Sequence, residues 1–67
     1  MDFGKRLKEQ LKWQGIRQTE LAKQLEIGKT AVSNWITGRN YPTVAQLIKI
    51  CKILDTTPNE LLDFNSD

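Results

Sequence analysis

The stretch that most constrains the fold of this chain is residues 17–38, RQTELAKQLEIGKTAVSNWITG. Its apolar residues fall into two groups at helical spacing, namely Leu21, Ala22 and Leu25, and then Val32, Trp35 and Ile36. Ile27 and Gly28 lie between the two groups. Because residues three and four apart share one face of a helix, the pattern predicts two short helices joined by a tight turn. They begin near Gln18 and at Lys29.

The second of these helices has a hydrophilic outer face. That face is formed by Lys29, Thr30, Ser33 and Asn34. Short hydrogen-bonding side chains together with a cation can contact base edges when a helix enters the major groove of DNA. Any amphipathic helix also has a polar outer face, and shape alone does not fix function. The geometry leaves both interpretations open.

The net charge is small, but its distribution is uneven. The formal net charge is +2, which by itself does not indicate a nucleic-acid partner. Residues 1–40 carry eight Lys/Arg and four Asp/Glu, whereas residues 41–67 carry two Lys/Arg and four Asp/Glu. The positive excess therefore lies on the part of the chain with the two-helix unit, as a phosphate-facing surface requires.

Length and composition exclude several classes of protein. Sixty-seven residues make one domain at most, so we predict a single domain over residues 1–67 with an ordered core at about 2–64. With one cysteine and no histidine, neither an internal disulfide nor a zinc site is expected, and we predict no metal and no cofactor. No apolar run approaches the ~20 residues of a membrane span, and the N-terminus does not resemble a signal peptide.

Enzymatic activity is not expected. Cys51 lies in an apolar run without an accompanying base, so it is predicted to be a small core residue and not a nucleophile. The sequence also has no pair of carboxylates set in an apolar stretch. We predict a cytoplasmic, nucleoid-associated protein that does not interact with membranes.

The remaining segments predict three more helices. The first spans residues 2–14, with Asp2 as N-cap and Gly15 as its left-handed stop. A later helix runs from Thr43 to Asp55, and the apolar residues predicted to bury it are Val44, Leu47, Ile48, Ile50, Cys51 and Leu54. The last begins at Thr57, with Pro58 at the first helical position, and carries Leu61, Leu62 and Phe64. Five helices with short connections predict a compact all-α domain.

Two positions in the two-helix unit depart from ideal capping. Arg17 stands where Ser or Thr would normally cap the helix that begins near Gln18. Glu26 stands in the turn between the two helices, where a positive φ would cost about 1 kcal/mol for a residue with a side chain. Thr43 and Gln46, by contrast, have the spacing of a full capping box.

With these residues in view, the chain resembles the phage Cro/repressor-type (XRE-like) helix-turn-helix family from Phe3 to Phe64. The resemblance rests on the turn at Gly15, the glutamine at Gln18, the Leu21-Ala22 pair and the runs GKTAVSNWITG, NYPT and TPNELL. It implies a five-helix domain of the lambda-repressor-like type, with the third helix in the major groove. It also implies sequence-specific DNA binding and transcription regulation, by occlusion or by recruitment at a promoter. The sequence does not distinguish repression from activation, and of the two we predict a repressor.

The resemblance assigns roles to individual residues. Those that contact bases are Lys29, Thr30, Ser33 and Asn34, and those that contact the DNA backbone are Gln18, Thr37, Arg39 and Asn40. We add Arg17 to the backbone group, because a guanidinium beside a helix N-terminus favours phosphate.

Double-stranded DNA is thus the predicted partner, together with a second copy of the chain. One helix contacts only about four base pairs, so a homodimer on a palindrome with half-sites roughly 10 bp apart is expected. The predicted dimer surface is Tyr41, Ile53, Leu62 and Phe64. A chain of this length has no room for a ligand-sensing domain, so control would come from protein concentration, an antagonist or co-regulator protein, or a longer parent chain. The alternative is a protein-interaction module or regulatory subunit with the same fold that does not recognise DNA.

Overall fold

The computed structural model describes residues 3–57 and 60–61 of the chain. In these residues the chain forms four helices: α1 (Phe3–Gln14), α2 (Gln18–Leu25), α3 (Lys29–Ile36) and α4 (Val44–Leu54). The predicted helices at these places are confirmed to within a residue or two. The predicted cap Asp2 lies outside the described residues.

The prediction of five helices is corrected to four for the part of the chain that the structure describes. Much of the predicted fifth helix falls on residues 58, 59 and 62–67, outside the described residues. The described part of this helix begins at Thr57, as predicted. The hydroxyl oxygen of Thr57 accepts a hydrogen bond from the Glu60 N–H at 3.3 Å. The Thr57 carbonyl accepts from the Leu61 N–H at 3.2 Å, and Leu61 is completely buried. The described residues of this segment therefore contribute two helix-type hydrogen bonds and one core residue.

The four helices end in the same hydrogen-bonded motif. At each end one residue takes a positive φ: Gly15 (71°), Glu26 (58°), Gly38 (81°) and Asp55 (53°). At the end of α2, the Glu26 N–H donates to the Lys23 carbonyl at 3.1 Å and the Ile27 N–H to the Ala22 carbonyl at 3.0 Å. This is the Schellman pattern, in which two orphan carbonyls of the last turn are satisfied. Glu26 therefore takes the positive φ whose cost the sequence raises as a condition.

The helix starts differ from one another. Thr43 and Gln46 form the predicted capping box at α4, with distances of 3.2 Å and 2.9 Å for its two hydrogen bonds. Arg17 and Gly28, the N-caps of α2 and α3, provide no side-chain cap. The weak capping predicted at Arg17 is confirmed.

α1 packs directly against the end of α3. Phe3, Leu7 and Leu11 of α1 are buried, as the sequence predicts. A Cβ added at Gly4 would overlap the carbonyl oxygens of Ile36 and Trp35 and would lie 2.5 Å from the latter. The two helices approach so closely at this point that only glycine fits, a constraint that the sequence analysis missed.

The predicted burial of α4 is wrong at two positions. Val44 is 75% exposed and Ile48 is 47% exposed, whereas Ile50 and Leu54 are completely buried. Apolar residues occur on every side of this helix, so one apolar face remains in solvent whichever face packs on the core. Val44 and Ile48 lie one turn apart on that outer face.

Candidate nucleic-acid interface

α3 is held in place by its inner face and presents a hydrophilic outer face. Val32 and Trp35 are buried in the core between the helices. Lys29 and Thr30 are exposed, and Ser33 and Asn34 are half-buried. None of these four polar residues is turned into the interior.

The segment after α3 is fixed by the carbonyl of Asn34. The Arg39 N–H donates to it at 2.9 Å and the Asn40 N–H at 3.5 Å, which the positive φ of Gly38 makes possible. Arg39 and Asn40 are exposed, so their side chains remain available to a ligand. The C-terminal end of α3 therefore carries one cation and one amide in a defined backbone conformation.

Thr37 is engaged within α3. Its Oγ1 donates to the carbonyl of Ser33 at 3.0 Å and lies 3.3 Å from the carbonyl of Asn34. A phosphate contact through this hydroxyl would need its one proton. In this conformation the hydroxyl satisfies a carbonyl of the last turn instead.

A cleft of about 630 Å³ lies at the opposite end of α3, between α1 and the starts of α2 and α3. Its lining includes four cations and two apolar residues, Lys8, Lys12, Arg17, Lys29, Leu11 and Ile16. Gln18, the first residue of α2, also lines it. The structure thus brings Arg17, Gln18 and Lys29 together. It adds Lys8 and Lys12, which the sequence analysis did not assign, although their spacing of four residues places them on one face of α1.

The four residues predicted to form a dimer surface have different environments. Tyr41 is 61% exposed, and its ring packs against that of Phe3 with centroids 6.3 Å apart. Ile53 is half-buried and packs against the core. Leu62 and Phe64 lie outside the described residues. Of the two described residues in this set, Tyr41 is therefore the one whose side chain is exposed enough to contact a partner.

Cys51 is buried. Burial raises the pKa of its thiol above the ordinary range, and the negative charge of Glu60 raises it further. A thiol held protonated is a poor nucleophile. Among the described residues, no group of His, Cys, Asp or Glu side chains is arranged to hold a metal ion, and no helix is long and apolar enough to cross a membrane.

Comparison with known proteins agrees with this geometry. The sequence profile of the family HTH_3, helix-turn-helix, matches residues 7–61. The chain is also similar to the HTH-type transcriptional activator BcrR of Enterococcus faecalis, with 36% identity over 62 residues. The match covers 92% of this chain but 30% of that relative, so the chain spans less than a third of the relative's length.

The matched residues contain all of α2, α3 and α4 and most of α1. The match thus includes the turn between α2 and α3 and the outer face of α3. The chain belongs to the XRE-type helix-turn-helix family of DNA-binding transcription regulators.

Proposed function

We propose that the chain binds a palindromic operator as a homodimer, with α3 in the major groove. The observation that carries this proposal is that the hydrophilic face of α3 points outward between two ends that each carry cations. Eight helical residues span about 12 Å, close to the ~12 Å width of the major groove. Groups at the two ends of α3 are therefore spaced to reach the two phosphate strands that border the groove.

Within this proposal the residues divide by the part of DNA that they contact. Lys29, Thr30, Ser33 and Asn34 contact base edges. Arg17, Gln18, Arg39 and Asn40 contact the sugar-phosphate backbone and set the register of α3. Thr37 reaches a phosphate only if its hydroxyl leaves the Ser33 carbonyl, so its main contribution is to hold the end of α3 that positions Arg39.

The dimer partner is a second copy of this chain, seated on the outer face of α4. Val44 and Ile48 are exposed apolar residues one turn apart, and the exposed ring of Tyr41 lies shortly before them in the chain. This face shares Tyr41 with the dimer surface predicted from sequence, and it does not use Ile53, which packs partly against the core. Three side chains supply well under the roughly 800 Å² per partner of a standard interface. The dimer is therefore weak in solution and forms mainly on DNA.

The sign of regulation follows from where the operator lies in the promoter. An operator that overlaps the polymerase site gives repression, which is the prediction from sequence. The relative BcrR is named an activator, and this favours recruitment of polymerase as the second candidate. A promoter–reporter assay with the selected operator placed at the start site or upstream of it separates the two.

The test of the proposed function is selection of binding sites from random duplex DNA, followed by footprinting. We expect a palindrome with half-sites roughly 10 bp apart. If no duplex is preferred over random DNA at moderate salt, the proposal is wrong and the protein-interaction module becomes the better hypothesis. That alternative also expects Lys29→Ala, Asn34→Ala and Arg39→Ala to leave the biological partner bound.

A further inference from the structure

We propose that Lys8 and Lys12 of α1 hold a DNA phosphate strand in the cleft between α1 and the starts of α2 and α3. This extends the DNA interface to a helix outside the α2–α3 unit. The inference rests on the proposed function, because the DNA strand held in this cleft is one of the two strands that border the major groove occupied by α3.

The cleft gathers positive charge from three separate elements. Lys8 and Lys12 come from α1, Arg17 is the N-cap of α2, and Lys29 is the first residue of α3. All four are exposed. No acidic side chain lines the cleft within the part of the chain that the structure describes. An anion is the ligand that such a surface favours.

No acidic residue lies three or four positions from Lys8, whereas Glu9 lies three positions before Lys12, so of the two α1 lysines Lys8 brings no evident benefit to the fold. The two lysines are four residues apart on one helix face, where like charges repel and destabilise a helix. Lys12 does lie in the last turn of α1, where a cation is favourable, but Lys8 does not. An external anion between them converts the repulsion into attraction. The pair therefore fits a ligand better than it fits a structural role.

The position of the cleft favours a duplex strand over a small anion. Lys29 belongs both to the cleft and to the outer face of α3, so the cleft is continuous with the proposed base-contacting surface. The half-buried side chain of Ile16 gives the cleft an apolar part against which deoxyribose can pack. Arg39 lies at the other end of α3, about 12 Å away by helix length. The cleft and Arg39 thus hold opposite strands of the major groove.

The first test is the salt dependence of DNA binding by Lys8→Gln/Lys12→Gln. Each phosphate contact contributes about 0.9 to the slope of log affinity against log salt, so we expect the slope to flatten by about 1.8. The loss is expected to be equal on the selected operator and on a random duplex, because phosphate contacts carry no sequence information. The matched control is Lys49→Gln/Lys52→Gln on α4, which removes the same charge from exposed positions outside the cleft.

Thermal unfolding checks that the variant folds. The substitution relieves the Lys8–Lys12 repulsion but also removes a favourable cation from the last turn of α1, so its melting temperature should stay close to that of the parent protein. An unchanged salt slope in Lys8→Gln/Lys12→Gln would overturn the proposal, and so would an equal flattening in the α4 control, since that would indicate only net charge. Since the random duplex alone reveals this slope, the test works even if no sequence preference is found and the proposed function fails.

A second test locates the strand. Methylphosphonate linkages that neutralise single phosphates around a half-site should weaken binding of the parent protein at the contacted positions. In Lys8→Gln/Lys12→Gln the penalty should vanish at positions on one strand, and in Arg39→Ala at positions on the other. If both variants lose the same positions, or neither loses any, the assignment of the cleft to one strand is wrong.

Discussion

Two positions in this molecule favour glycine for different reasons, and only one of them has it. Glu26 takes φ of 58° at the end of α2, a conformation that costs roughly 1 kcal/mol for a residue with a Cβ. Gly4 has an ordinary helical position, but its missing side chain lets α1 touch the carbonyls of Trp35 and Ile36. The side chain of Glu26 strains the backbone at its position, whereas position 4 has no room for any side chain.

Glu26→Gly is expected to raise the free energy of unfolding by about 1 kcal/mol, because it removes the strain and an acidic group from a helix C-terminus. For a domain of this size that corresponds to about 4–8 °C in melting temperature. Glu26→Ala is the control, since it removes the charge and keeps the strained φ. If Ala stabilises as much as Gly, the gain is electrostatic and the strain account is wrong.

Gly4→Ala is expected to lower the free energy of unfolding by about 1–3 kcal/mol, the usual cost of forcing extra atoms into a packed contact. Gly28→Ala is the matched control, because a Cβ there meets nothing within 4 Å and its backbone is extended. Denaturant unfolding of both variants measures the difference. A Gly4 variant no weaker than the Gly28 variant would mean that α1 can shift away from α3 without cost.

At the scale of elements, the helix positions were predictable and the choice of faces was only partly so. Periodicity and caps such as Thr43–Gln46 are local, and the sequence alone locates them. Val44 and Ile48 were assigned to the core wrongly, because α4 is apolar on all sides and periodicity cannot choose between its faces. Lys8 and Lys12 were missed as part of a cleft, because that cleft exists only once α1 packs beside α2 and α3.

The proposed complex assigns sequence preference to the outer face of α3 and sequence-independent affinity to the residues at its two ends. Asn34→Ala is expected to relax preference at one or two operator positions, at a cost of about 1–3 kcal/mol on the preferred sequence. Arg39→Ala is expected to weaken binding to all duplexes alike and to flatten the salt slope by about one. Titration of operator and random duplexes over a range of salt measures both. Equal loss of sequence preference in the two variants would contradict the division between base and backbone contacts.

For the whole molecule, the uneven charge and the exposed α4 face describe two surfaces with separate tasks. In the proposed complex the cations at both ends of α3 face DNA, and the exposed side chains of Tyr41, Val44 and Ile48 contact a second copy of the chain. A helix-turn-helix unit with one recognition helix covers too few base pairs to select a site alone. In the proposed function, self-association on DNA supplies the missing specificity.

Val44→Ser/Ile48→Gln is expected to leave the fold intact and to abolish cooperative binding to the full palindrome, while affinity for an isolated half-site stays unchanged. Because these side chains are largely exposed, little core packing is lost. Sedimentation of the protein–DNA complex, with full and half operators, reports the stoichiometry. Trp13→Gln is the control for loss of an exposed apolar side chain elsewhere. Retained two-to-one binding in the α4 variant would place the dimer contact on another surface.

The two tryptophans give the molecule its own optical reporters. The indole of Trp13 is 86% exposed, at the end of α1, whereas that of Trp35 is buried on the inner face of α3. A soluble quencher such as iodide will extinguish the emission of Trp13 and spare that of Trp35. Trp13→Phe therefore leaves a single fluorophore inside the helix proposed to enter the groove, and its emission will follow both unfolding and DNA engagement without an attached label.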